Sequence, residues 1–204
     1  MNASTLFYVH DPMCSWCWGH RPEWEKLQAS LPKAVNVKNI VGGLAPDNDE
    51  VMPQAQQQAI ASYWKQIHNL LGTEFNHDFW TKNKPRRSTY PACRAVIAAR
   101  WQNCEEGMNN ALQEAYYLKA KNPSDVEVHL ELASELGLDE VQFAADLASD
   151  KLEAAFNEEL QFARSLPISG FPSMVLVHNE QAYVIPLDYQ DCRGAIDTIS
   201  EIIK

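Results

Sequence analysis

Cys14 and Cys17, set C-x-x-C around Ser15 and Trp16, are the side chains best placed to do chemistry in this 204-residue chain. They follow the apolar run Leu6-Phe7-Tyr8-Val9 and precede a stretch that can be a helix. Two thiols one turn apart at a helix start form a reactive dithiol rather than a structural staple. The unpaired N–H groups and partial positive charge of a helix N-terminus favour a thiolate. Such a thiolate attacks disulfides at neutral pH, where an ordinary cysteine of pKa ~8.5 is mostly protonated. Cys14 reads as the nucleophile and Cys17, one turn in, as the thiol that resolves the mixed disulfide.

The competing uses of such a pair are weaker. Zinc usually takes four ligands. His20 could be a third, but no fourth partner is evident, so no metal is expected. Covalent haem attachment wants histidine directly after the second cysteine, where Trp18 stands. Cys93, Cys104 and Cys192 read as reduced thiols. On a single helix Cys93 and Cys104 would lie about 16 Å apart, beyond the ~7 Å that a disulfide spans.

A formal charge of −10 excludes nucleic acid as a main partner, because phosphate contacts need a basic surface. It also disfavours docking on anionic membranes. No run approaches the ~18 apolar residues of a span. Met1-Asn2-Ala3-Ser4-Thr5 carries neither a basic nor an apolar leader region. The expectation is a cytoplasmic protein whose thiols are kept reduced.

The elements that must position the dithiol are legible in outline. Thr5 to His10 reads as a strand, about Ser15 to Ala29 as a helix that Pro22 should kink or break, and Val35 to Val41 as a strand. From Asp47 to Leu166 the signal is helical almost throughout. Gln54 to Leu71 has the 3- and 4-residue apolar spacing of a helix face. Helices follow at Cys93 to Trp101 and Met108 to Lys119. Ser124 with Glu127 suggests a capping box, Gly137 a stop, Asp139 a cap, and a last helix runs from Lys151 to Ser165. Strands return at Ser173 to His178 and Tyr183 to Ile185, joined at Asn179-Glu180, and Asp188 should cap a terminal helix. The division expected is residues 1–46 plus 166–204 as one domain and 47–165 as a helical insertion.

A β-α-β unit with C-x-x-C at its helix, a large all-helical insertion and a β-β-α unit resemble the α/β thioredoxin-like fold of the DsbA family. The stretch Asp11-Pro12-Met13-Cys14-Ser15-Trp16-Cys17-Trp18-Gly19 is similar to the active site of cytosolic members described as disulfide isomerases. Gly170-Phe171-Pro172-Ser173 stands where that family carries its cis-proline loop. The resemblance implies a cis bond before Pro172, with Phe171, Pro172, Ser15 and Trp16 contacting substrate. It implies a thiol–disulfide oxidoreductase, a reductase or isomerase of disulfide-containing proteins or small thiols. No cofactor is implied beyond the dithiol, with glutathione as a co-substrate. In one respect the chain departs: many thioredoxin-like proteins carry a buried carboxylate six residues before the nucleophile, and here that residue is Tyr8.

Several residues keep two readings. Trp16, Trp18, Trp24 and Phe171 could form an apolar substrate rim, or the tryptophans could pack the first helix on the sheet. Asp11 and His20 could move protons or simply cap and cover. Lys82, Lys84, Arg86 and Arg87 could guide an anionic thiol or form a solvated loop. Two rival functions also stand. One is a glutathione-dependent isomerase of small aromatic, chromene-type substrates, related in fold but typically without a full C-x-x-C. The other is a redox-switched chaperone or interaction module. Oligomeric state is open.

Overall fold

The computed structural model describes residues 4–204. The reading of a leaderless N-terminus rests partly on residues 1–3, which lie outside the described residues. The described elements run β1 (Ser4–His10), α1 (Ser15–Ser30), β2 (Val35–Val41), α2 (Gln54–Leu71), α3 (Phe79–Lys82), α4 (Tyr90–Arg100) and α5 (Glu105–Tyr117). They continue with α6 (Val126–Glu135), α7 (Glu140–Leu147), α8 (Asp150–Ser165), β3 (Ser173–His178), β4 (Gln181–Ile185) and α9 (Arg193–Ile202). The sheet order is β2-β1-β3-β4, with β1 parallel to β2 and antiparallel to β3, and β3 antiparallel to β4. This is a thioredoxin-like sheet, with seven helices between its second and third strands.

Alternation along β1 sends successive side chains to opposite faces. Leu6 and Tyr8 point to the face where Trp24 and Leu27 of α1, Met174 and Leu176 of β3, and Ile199 of α9 pack. Phe7 and Val9 point to the other face, against Ile40 of β2, Ala163 of α8 and Phe171. The last helix before β3 thus covers the sheet that the first helix covers from the opposite side. A separate, larger core joins α2 to α8 around Trp64, Val96, Leu112 and Phe156. It includes Met13 and Val41, so the residue just before Cys14 is anchored in the helical core. Fully burying side chains such as Leu6, Leu27 and Leu112 stabilises by about 1.5–3 kcal/mol each.

Local expectations fail at three places. Pro22 does not break α1, which runs unbroken from Ser15 to Ser30. The proline sits on the exposed side, and the buried Cys17, Trp24 and Leu27 hold the helix to the sheet on either side of it. Ser124 is no cap: its hydroxyl donates to the Ser88 carbonyl at 2.7 Å, and α6 starts after Asp125. Asp188 closes a turn by accepting from Gln190 and Asp191 N–H, so α9 begins only at Arg193. Of the two readings open for Cys93 and Cys104, the structure has the two abutting helices, Cys93 lying within α4 and Cys104 just before α5. The turn at Asn179 and Glu180 is as expected, both residues holding the positive φ that a tight hairpin demands. Among the described residues no helix is long and apolar enough to cross a membrane.

Candidate active site

Cys14 is the N-cap of α1, with extended backbone and no side chain capping the helix. Its N–H donates to the Asp11 carbonyl at 3.0 Å and its carbonyl accepts from Trp18 at 3.1 Å. The first turn of α1 carries no acidic residue. The helix N-terminus therefore presents its positive end to the Cys14 sulfur, with no acidic side chain in its own first turn. Cys17 lies one turn on, 1% exposed, and all five cysteines are free thiols. Burial, and then the neighbouring Cys14, push the Cys17 thiol well above its ordinary range. One sulfur of the pair sits at the helix end and the other is held protonated behind it.

Phe171–Pro172 is a cis peptide bond. It brings the Phe171 carbonyl to 3.5 Å from Cys14 Sγ, which donates to it. Cys14 is only 5% exposed, less open than a nucleophile at a helix start suggests, because this loop lies against it. Phe171 is half-buried and Pro172 buried. The Phe171 ring crosses Gly42 so closely that a Cβ there would fall 2.1 Å from a ring carbon. Gly42 is thus a position where only the absent side chain permits the approach. Beside the loop runs an open, mostly apolar groove of about 450 Å³, lined by Gly42, Leu44, Ala163, Ile168 and Phe171, with Arg164 and Ser169 also on its wall.

The candidate rim divides. Ser15 and Trp16 are half-buried at the head of α1, and Trp16 meets the edge of Tyr189 at 5.1 Å. Trp18 turns toward the helical region, stacking on Tyr117 and donating its indole N–H to the Glu74 carbonyl at 3.0 Å. Trp24 is core, 7% exposed and stacked on Tyr8 at 3.9 Å. The structure therefore brings Cys14, Cys17, Phe171, Pro172, Ser15 and Trp16 to one end of the sheet, and leaves Trp18 and Trp24 to packing.

Asp11 is not a surface residue but fully buried. Its carboxylate accepts from Met13 N–H at 2.8 Å, Leu44 N–H at 2.7 Å, Thr89 Oγ1 at 2.6 Å and Cys93 Sγ at 3.5 Å. Burial raises its pKa, and these bonds pull it back. His20 is also buried, with Nδ1 3.2 Å from the Tyr8 hydroxyl and its ring edge on Tyr189. Burial holds its pKa down to about 4. Among the described residues no three His, Cys, Asp or Glu side chains converge as a metal site requires. Of the basic cluster, Lys82 pairs with Asp78 and Arg86 with Asp125, which ties both to surface ion pairs. Sequence reasoning missed Tyr189, Thr89 and Leu44. Each reaches the site from a distant loop or helix start, and nothing in its local sequence marks it.

A family model described as thioredoxin matches residues 7–191. Among solved structures, a candidate protein disulfide isomerase from Nitrosomonas europaea is 26% identical, with 98% of this chain and 97% of that one covered and a TM-score of 0.84. The cytosolic disulfide reductase DsbM from Pseudomonas aeruginosa is 25% identical over 97% and 96% of the two chains, with a TM-score of 0.74, and has also been solved with GSH. The ClpXP adapter protein SpxH from Bacillus subtilis is 25% identical over 190 residues, covering 90% of this chain and 62% of SpxH. The chain thus spans about three-fifths of the length of that curated relative.

Proposed function

This chain belongs to the thioredoxin family and has the thioredoxin-like fold of DsbA-family oxidoreductases, and from that premise we propose that it is a thiol–disulfide oxidoreductase working in the reducing or isomerising direction. The single observation that carries the reading is the placement of Cys14, at a helix N-terminus and against the cis Phe171–Pro172 loop, with Cys17 buried one turn behind.

In this reading the Cys14 thiolate attacks a substrate disulfide. A bond forms between Cys14 Sγ and one substrate sulfur, and the other substrate sulfur leaves with the electron pair. Cys17 then attacks Cys14 Sγ, the Cys14–Cys17 disulfide forms, and the second substrate sulfur is released. A reductant of the small-thiol class returns the dithiol. Glutathione fits that place, on the strength of a relative solved with GSH. The Phe171 backbone and the apolar groove beside it would hold an extended substrate segment, with Ser15 and Trp16 at the edge. A compartment rich in reduced thiols, the cytoplasm, suits this direction.

The test is turnover of a disulfide substrate with glutathione as reductant. Cys14→Ser is expected to abolish it. Cys17→Ser is expected to accumulate a mixed disulfide, visible by mass as one added substrate thiol. Turnover surviving in Cys14→Ser would sink the assignment.

The resemblance to an adapter favours a second reading, in which the chain binds a partner protein and the dithiol is incidental. Partner binding unchanged in a double Cys14→Ser, Cys17→Ser variant that has lost turnover would support that role.

A further inference from the structure

Cys17 also lines a largely enclosed space between β1, β2, α1 and α5, together with Tyr8, His10, Asn39, Asn109 and Gln113. Its volume is about 30 Å³, room for roughly two water molecules at ~10–15 Å³ each. Among the described residues seven buried side-chain polar atoms find no hydrogen-bond partner in the protein, and four of them belong to this lining: His10 Nδ1, Asn39 Oδ1, Asn109 Oδ1 and Gln113 Oε1. His10 and Gln113 are each 3% exposed. Three of the four atoms are acceptors by nature, and His10 Nδ1 is whichever its tautomer makes it. Four unmet polar atoms around a cavity of this size describe a site for ordered water.

We propose that this cavity is a hydrated proton outlet for Cys17, in which His10 and Gln113 position the water that takes the thiol proton during resolution of the mixed disulfide. The inference rests on the dithiol function above. In the step, Cys17 Sγ bonds to Cys14 Sγ while the bond from Cys14 to substrate breaks. The electron pair leaves on the substrate sulfur. The Cys17 proton passes to cavity water, then past the exposed Glu25 and Glu106 at the rim to solvent, which supplies a proton to the departing thiolate.

The other nearby groups are already engaged. Asp11 spends its two oxygens on four donors. Tyr8, in the place where many relatives carry a carboxylate, has its hydroxyl against His20 and its own pKa raised by burial. The charges facing His10 are also settled. Burial, and then the positive charge of Arg100 on α4, keep the imidazole neutral at pH 7. Glu105 of α5 pairs with Arg100 at 2.6 Å, and Arg21 of α1 with Glu25 at 2.9 Å. A neutral imidazole can accept at one nitrogen and donate at the other, so His10 orients water without retaining the proton. His10 and Gln113 are positioning residues, since neither touches the reacting sulfurs in this role.

The experiment follows reduced protein mixed with oxidised glutathione in a stopped-flow instrument, with acid quench and mass analysis. A concentration-dependent phase reports attack by Cys14, and a concentration-independent phase reports attack by Cys17. Gln113→Leu and His10→Leu are expected to leave the first phase unchanged and to slow the second roughly ten-fold at pH 7, a modest share of the ~10²–10⁴ that positioned proton transfer supplies. The defect should shrink as pH rises and hydroxide takes the proton directly. Asn109→Leu, at a half-buried position, serves if either of the other variants fails to fold. A second phase with wild-type rate and pH profile in the folded variants would overturn the proton outlet. Failure of the wild type to form any glutathione mixed disulfide would overturn the dithiol function itself.

Discussion

Asp11 and His10 are neighbours at the end of β1, both buried, and their surroundings are opposites. The Asp11 carboxylate is met by four donors from four separate places: the turn before α1, the loop after β2, the residue before α4, and α4 itself. His10 Nδ1 meets no protein partner, and His10 lines a small cavity together with three other residues that carry unmet atoms. A saturated buried group fixes geometry, because every bond lost leaves a buried donor stranded. An unsaturated one leaves room for exchangeable water. The dithiol is thus flanked by a knot on one side and working space on the other, and the two should answer very differently to mutation.

Asp11→Ala should show the largest effect. It strands the N–H groups of Met13 and Leu44 and leaves the Thr89 hydroxyl only the longer bond to the Ala45 carbonyl, and should destabilise by about 3–5 kcal/mol. The check is the urea midpoint, lowered with an unchanged slope. Asp11→Asn keeps one acceptor oxygen and should lose less. If the two variants unfold at the wild-type midpoint, the knot is not structural and the contrast with His10 collapses.

That knot also marks where sequence reading stops. Gln54–Leu71 and Ser173–His178 have the bounds their apolar spacing predicts, because period and turn chemistry are local signals. The cis bond before Pro172 was reached only through resemblance, and the structure has it. Asp11 looks like a turn residue before a helix. Its burial depends on Leu44, Thr89 and Cys93, up to 82 positions away, and no local pattern announces such partners. The cavity at Cys17 is formed by two strands and two helices, with Gln113 almost a hundred residues from the thiol, so its polar lining reads from sequence as ordinary helix surface. Pro22 leaves α1 unbroken for the converse reason: a local rule yields to packing on either side of it.

A second buried histidine sharpens the comparison. His20, unlike His10, has a partner in the Tyr8 hydroxyl, and burial lowers both to about 4. A histidine whose folded pKa lies below its unfolded ~6.5 takes its proton first in the unfolded chain. Its contribution is therefore fully present above about 6.5 and is lost as pH falls toward 4, to the extent of about 3 kcal/mol. Denaturant unfolding between pH 4 and 7 should give a stability that rises with pH, and His20→Asn should flatten the rise. Comparing each variant with wild type removes the opposing contribution of Asp11, whose raised pKa acts with the other sign. Water in the cavity would lessen the burial of His10, so His10→Asn should flatten the slope less than His20→Asn. Equal flattening would mean a dry cavity.

The smallest expected effect on stability is at Gln113, and its smallness is the point. Gln113 Oε1 has no protein partner, so Gln113→Leu strands no donor and removes a polar atom from the interior at nearly constant volume. Where Asp11→Ala costs several kcal/mol, Gln113→Leu should change the unfolding free energy by less than about 1 kcal/mol, in either direction. Thermal and urea unfolding of the reduced protein would measure it. In the proposed role, the apolar replacement at Gln113 is tolerated by stability and penalised in rate. A loss as large as that of Asp11→Ala would instead make Gln113 part of a second knot, and the two sides of the dithiol would no longer differ.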